Sequence, residues 1–144
     1  MQPPYGEEPG SFDLIESESG HVIGTLQLDR RDPSRPGRPD ESTGLAPGEL
    51  EVSYVLHPDY WGRGYASEAV AAGLAWVRDK VADGYVIAVT QTTRSIAMLR
   101  RLGFVERERF PEFGVEQTLL TRALGDRLDE RDGHLLLPSR GVRP

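Results

Sequence analysis

The chain is predicted to fold as one α+β (α/β layered) domain, a single mixed sheet flanked by helices. Three observations predict it. Strand-like and helix-like runs alternate in the order strand, strand, loop, strand, helix, strand, helix, strand, strand. The spacing of apolar residues changes from two to three and four just after Gly64. "YVIAVT", residues 85–90, is almost continuously apolar, as in a strand covered on both faces.

Residues 11–30 read as a hairpin, with "FDLIES" and "HVIGTLQL" as strands and Ser19-Gly20 as the turn. Residues 31–48, "RDPSRPGRPDESTGLAPG", are rich in Pro, Gly and charge. They cannot bury enough apolar surface to order themselves, which predicts a mobile loop. In "ELEVSYVLHP", residues 49–58, Leu50, Val52, Tyr54 and Leu56 face one way, and Glu49, Glu51, Ser53 and Val55 the other. Ala66, Ala69, Val70, Gly73, Leu74, Val77 and Val81 then recur at helical spacing, and Gly84 is the expected stop. After the strand 85–90, "TRSIAMLRRL" predicts a second helix, with Thr92 or Thr93 as N-cap and Gly103 as C-terminal stop. "FVERERF" and "VEQTLLTRAL" complete the sheet, joined at "PEFG". Residues 1–124 make one expected domain; residues 125–144 are a polar tail.

Composition narrows the function. Seventeen Lys and Arg stand against 23 Asp and Glu, a net charge of −6, which argues against nucleic acid as a partner. The absence of cysteine excludes disulfides and thiolate chemistry. His21, His57 and His134 lack metal-ligand spacing, so no metal is expected. Residues 1–10, "MQPPYGEEPG", carry no basic or apolar leader, and no run approaches membrane-spanning length, so a cytoplasmic protein away from membranes is expected.

The most informative stretch is "HPDYWGRGYASEAV", residues 57–70. A helix N-terminus presents unpaired N–H groups and a partial positive charge. Gly62 and Gly64 stand where the strand turns into the helix, and glycine lets an anion approach the backbone closely. Arg63 adds a charged fork. A pyrophosphate fits there. On these residues alone, glycines that merely make a tight turn fit equally well. A dinucleotide-binding fingerprint fits less well, because "GRGYAS" lacks its third glycine.

"YVLHPDYWGRGYASEAVAAGLAWV", followed by "SIAMLRRLGF", resembles the GNAT acetyltransferase superfamily, and most of all the branch that includes ribosomal-protein N-terminal acetyltransferases. The resemblance spans about residues 49–122, with a weaker echo in the hairpin at 12–28. It implies a mostly antiparallel sheet with one splayed strand pair, and acetyl-CoA as cosubstrate. It sets Val55, Leu56 and His57 against the pantetheine arm. The family's loop Q/R-x-x-G-x-G/A falls on Trp61, Gly62, Arg63, Gly64, Tyr65 and Ala66, whose amides, from Gly62 to Ala66, would hold the pyrophosphate. Trp61 departs from the usual Gln or Arg, and Thr92 stands where Asn is usual.

The implied activity is N-acetyl transfer by direct attack of a primary amine on the thioester. That needs a base and an oxyanion donor. A backbone N–H near Val55 or Leu56 is the expected donor, and Glu51 the expected base. Glu49, nearer the loop and expected to be better solvated, is the fallback. Relatives place a tyrosine acid on the last helix; here Leu99 occupies that position and Ser95, one turn earlier, is the substitute. Ser95 also fits a plain first-turn role. Tyr54 and Trp61 read as packing residues, and Arg100-Arg101 as a solvated face or a contact for the cofactor's 3′-phosphate.

The family normally begins with a strand and two helices, and here only about ten residues precede the hairpin. A shortened N-terminus would bare a sheet edge, which predicts a homodimer. The expected acceptor is a small-molecule or peptide amine. The competing readings are a non-catalytic acyl-CoA-binding or regulatory module, supported by Leu99 and Thr92, and a remnant that binds no cofactor.

Overall fold

A computed structural model describes residues 10–31, 48–125 and 142–143. The strands β1 (Gly10–Ile15), β2 (Val22–Arg30) and β3 (Leu50–Leu56) precede the helix α1 (Tyr65–Arg78). Then follow β4 (Tyr85–Thr90), α2 (Thr93–Arg101), β5 (Val105–Glu112), β6 (Val115–Ala123) and the two-residue β7 (Val142–Arg143). The sheet order is β5-β6-β4-β3-β2-β1-β7. Every ladder is antiparallel except β3–β4, which is parallel and registers at a single pair, Glu51 with Ile87. Beyond that pair the two strands part, as the resemblance implied.

Both helices cover one face. Val70, Leu74 and Val77 of α1, with Met98 and Leu99 of α2, pack on Leu26, Leu28, Val52, Val86 and Ala88. Gly73 lets α1 settle on β2, since a Cβ there would lie 2.9 Å from Leu26 Cδ2. The strand period of two sends Ile87 to the other face, into a small cluster with Phe110 and Leu119. The middle of the strand, Val86, Ile87 and Ala88, is thus buried on both faces, while Tyr85 is exposed and Val89 and Thr90 are half-buried.

Two boundaries differ from the sequence reading. The β1–β2 loop spans Glu16–His21 and not only Ser19-Gly20. Helix α1 stops at Arg78, six residues before Gly84, with Asp79 as its C-cap. Val81 continues the helical spacing but packs on the core from irregular backbone. Asp83 is drawn aside by a bidentate pair with Arg30, at 2.6 and 2.8 Å.

Thr92 is the N-cap of α2; its hydroxyl accepts from Ser95 N–H at 3.2 Å. Phe113 and Gly114 turn the β5–β6 hairpin with φ of 58° and 78°. The predicted loop 31–48 and the tail 125–144 fall mostly outside the described residues, as does the whole of "MQPPYGEEP". The outer side of β1 is partly occupied, since Val142 and Arg143 pair with Leu14 and Asp13.

Candidate active site

The parting of β3 from β4 opens a cleft of about 540 Å³ between β3, the start of α1 and the first turns of α2. At one end Gly62 and Gly64 hold φ of 78° and 82°, the left-handed region that costs an L side chain about 1–2 kcal/mol. Gly64 caps α1 with no side-chain bond, and Glu68 N–H is the first to reach back, to Gly64 O. The first-turn amides of α1 therefore have no helical acceptor. A Cβ at either glycine would meet nothing within 4 Å. The positive φ, and not crowding, is what demands glycine there, and the space above the amides stays open. A phosphate group fits this arrangement in shape and charge.

Of the cofactor residues named from the resemblance, Val55 and Leu56 line the cleft from β3; Trp61, Gly62, Gly64, Tyr65 and Ala66 line it from the loop and α1. His57 and Arg63 do not line it. His57 Nδ1 accepts from Asp59 N–H at 3.1 Å and so caps the short 3-10 turn Pro58–Tyr60. Arg63 turns away, its Nη1 3.7 Å from Glu16 Oε2 and its guanidinium 5.3 Å from the Tyr60 ring centre.

Backbone direction distinguishes Val55 from Leu56. His57 N–H donates to Ile23 O on β2. N–H groups alternate sides along a strand, so the Leu56 N–H faces away from β2, toward the cleft. Its carbonyl does the same and accepts from Trp61 Nε1 at 2.8 Å. The Arg94 guanidinium lies 5.3 Å from the Trp61 ring centre, so indole and arginine bridge the walls.

Glu51 sits on the opposite face, off the cleft, with its carboxylate 3.2 Å from Arg31 Nη1. The buried Arg31 also lies 3.7 Å from Glu112. Asp29 stands directly across the ladder from Glu51, and burial raises its pKa. Glu49 is not the better-solvated carboxylate expected, with 13% of its side chain exposed against 15% for Glu51. Arg107 holds Glu49 with two 3.0 Å bonds, and Tyr85 OH donates to it. Burial, then that carboxylate, pushes the Tyr85 phenol up to about 12.

Ser95 does line the cleft, and Tyr54 OH donates to its Oγ at 3.0 Å. Burial is the larger cause acting on Tyr54 and raises its pKa. Leu99 is wholly buried in the core. The sequence reading missed Arg94 and Met98, which line the cleft together with Arg101; of the pair Arg100-Arg101 it is Arg101 that faces the cleft. Their i, i+4, i+7 spacing was the available signal. Arg100, one step round the helix, instead pairs with Glu106 at 3.0 Å.

Glu16 anchors the β1–β2 loop to the start of α1. It accepts from Tyr65 OH at 2.6 Å and Ser19 Oγ at 2.7 Å. The Tyr65 bond is the chief cause that lowers the Glu16 pKa, and the same bond raises that of Tyr65. Among the described residues no group of His, Asp and Glu could hold a metal ion, and no helix is long and apolar enough to cross a membrane.

Comparison with known proteins agrees with this geometry. The sequence model of the GNAT acetyltransferase domain matches residues 4–105. A Bordetella pertussis protein assigned to the GNAT acetyltransferase family is 26% identical, with a TM-score of 0.65 over 79% of this chain and 65% of its own. The ribosomal-protein-S5-alanine acetyltransferase of Vibrio fischeri superposes at 0.60, with 19% identity over 83% of this chain and 63% of its own. A Salmonella typhimurium protein assigned as an acetyltransferase, solved with its cofactor acetyl-CoA, superposes at 0.58, with 20% identity over 78% of this chain and 64% of its own. The chain thus spans a little under two thirds of the length of these three structures. A mixed sheet that parts beside an uncapped helix N-terminus, and a family match over most of the sequence, lead to one conclusion: the chain belongs to the GNAT acetyltransferase family.

Proposed function

We propose that the chain is an acetyl-CoA-dependent N-acetyltransferase that moves an acetyl group to a primary amine by direct attack on the thioester. The observation that carries this reading is the cleft walled by β3, the start of α1 and α2, beside the point where β3 parts from β4, with the unpaired first-turn amides of α1 at one end. Bound acetyl-CoA supplies the activated acetyl group as a thioester. The amides from Gly62 to Ala66 hold the pyrophosphate, with Arg94 and Arg101 adding positive charge to the same cleft. Val55 and Leu56 bind the pantetheine arm, with His57 at the strand's end. The Leu56 N–H takes the oxyanion role, worth about 3 kcal/mol in comparable acyl-transfer sites. Ser95 donates to the leaving sulfur. Glu51 receives the amine's proton through ordered water, since four residues of strand, roughly 13 Å, separate it from Val55.

The acceptor is a small-molecule or peptide amine, and the protein works as a homodimer. Support for the dimer is that β7 pairs with only two of the six β1 residues. A solution mass of a single 16.0 kDa chain contradicts it.

One observation favours a second reading, a non-catalytic acyl-CoA-binding module: the Glu51 carboxylate is engaged by a buried arginine. Release of free thiol from acetyl-CoA, measured with a polyamine, an amino acid, a peptide and an aminoglycoside as acceptors, separates the two. Amine-dependent release supports transfer; tight binding with no release from any of them supports the binding module.

A further inference from the structure

Tyr54 and Ser95 stand on opposite walls of the cleft, one on β3 and the other in the first turn of α2, joined by the 3.0 Å bond from Tyr54 OH to Ser95 Oγ. Acidity fixes the direction of that bond. A phenol is a far stronger hydrogen-bond donor than an alkyl hydroxyl, whose oxygen is the better acceptor. Burial keeps the phenol protonated, so it stays a donor through the neutral range.

A serine hydroxyl carries a single proton. With one lone pair engaged by Tyr54, the proton of Ser95 is left for another acceptor, and among the described residues it has none. Accepting a bond also polarises the hydroxyl and strengthens it as a donor. The Ser95 backbone is fixed by the Thr92 cap, so the hydroxyl is aimed by both neighbours. Leu99, buried in the core, cannot offer a phenol from the helix.

We infer that Tyr54 is a positioning residue that commits the Ser95 proton to the sulfur released during transfer. This rests on the acetyl-transfer reading above. In that step the amine nitrogen bonds to the acyl carbon and the carbon–sulfur bond breaks. Its electron pair stays on sulfur, which accepts the Ser95 hydrogen bond, while the nitrogen's proton leaves on the Glu51 side. Tyr54 acts through Ser95, to which its hydroxyl is bonded.

The test measures affinity for free CoA against pH, with desulfo-CoA, which lacks the sulfur, as the comparator. A thiol titrates near 8.5 when unperturbed, and a site that prefers the thiolate lowers that value in the bound form. Affinity for CoA then rises with pH through the neutral range and levels off above the free thiol's value. The titratable groups lining the cleft are Tyr54, Tyr65, Arg94 and Arg101, and the desulfo-CoA comparator subtracts any part they play in the pH dependence. The expected rise for the intact chain is about tenfold between pH 6.5 and 9, absent with desulfo-CoA. Tyr54→Phe and Ser95→Ala should each lose most of it, the double variant should lose no more, and Ser95→Thr should keep it. Tyr54→Phe with an undiminished rise overturns the inference, as does a rise that survives in Ser95→Ala or one that desulfo-CoA shares. Should Tyr54→Phe melt early, the Ser95→Ala and Ser95→Thr pair still decides the matter. Failure of CoA and desulfo-CoA alike to bind overturns the acetyl-transfer reading itself, and this inference with it.

Discussion

The Trp61 indole N–H donates to the Leu56 carbonyl at 2.8 Å, tying the glycine loop to the strand before it. The same ring carries the Arg94 guanidinium on its face. Trp61→Phe keeps the aromatic face and loses one hydrogen bond, worth about 0.5–1.5 kcal/mol. The expected outcome is a rise in KM for acetyl-CoA of about two- to tenfold with kcat little changed. Trp61→Ala, which also removes the stack, should cost more. Steady-state kinetics of the two variants check this.

Gly64 needs its positive φ but has room for a side chain, since a Cβ would meet nothing within 4 Å. Gly64→Ala should therefore weaken acetyl-CoA binding through conformation alone, by about 1–2 kcal/mol, or five- to thirtyfold. Gly64→Asn should cost less, because asparagine tolerates the left-handed region, and Gly64→Val should cost more. Calorimetric titration of the three variants would show that order; equal losses would point to crowding instead.

Glu51→Gln removes the proposed base while keeping its shape. Turnover should fall on the order of 10²-fold. KM for acetyl-CoA should hold, because Glu51 does not line the cleft. The pH–rate profile should lose its acid limb. Unchanged turnover and profile would leave Glu51 as a partner of Arg31 only.

Glu16 bears on stability. Its folded pKa is lowered, first by the Tyr65 hydroxyl and then by Ser19. For a depressed carboxylate the stabilisation is full above the unfolded value, about 4.3, and is lost as pH falls through the folded value. Glu16→Gln should accordingly melt below the natural chain at pH 7, and the gap should close as pH falls below the unfolded value and through the folded one. Melting curves across that acid range check it. A gap independent of pH would assign the effect to packing.

Much of this architecture is legible in local sequence. The change of period after Gly64, the cap at Thr92 and the apolar run 85–90 each stand in the structure as read. Gly62 and Gly64 were visible as the place where a backbone turns and an anion could sit, and both have the φ that only glycine adopts readily. What local pattern could not show depends on partners far away in sequence. The end of α1 is hidden because Val81 keeps the helical spacing while Asp83 is bound to Arg30, 53 residues away. Tyr54 reads as packing until Ser95, 41 residues on, is brought within 3.0 Å. Glu51 reads as a candidate base, and its ion pair with Arg31, twenty residues away, is not visible until the fold brings the two together. Arg94 is hidden for another reason: it stands apart from the adjacent pair Arg100-Arg101, yet residues seven apart, two helical turns, share a face, and Arg94 lines the cleft with Arg101.

The most direct test of the central claim is a thermal-shift titration with acetyl-CoA, with free CoA and NADH as comparators. Ligand at one hundred times its dissociation constant adds about 2.7 kcal/mol of stability, or roughly 5–15 °C in Tm for a domain of this size. A saturable rise with acetyl-CoA and CoA, no rise with NADH and a loss of the effect in Gly64→Val are the predicted results. No shift with acetyl-CoA would contradict the account and leave Gly62 and Gly64 as residues that only turn the chain.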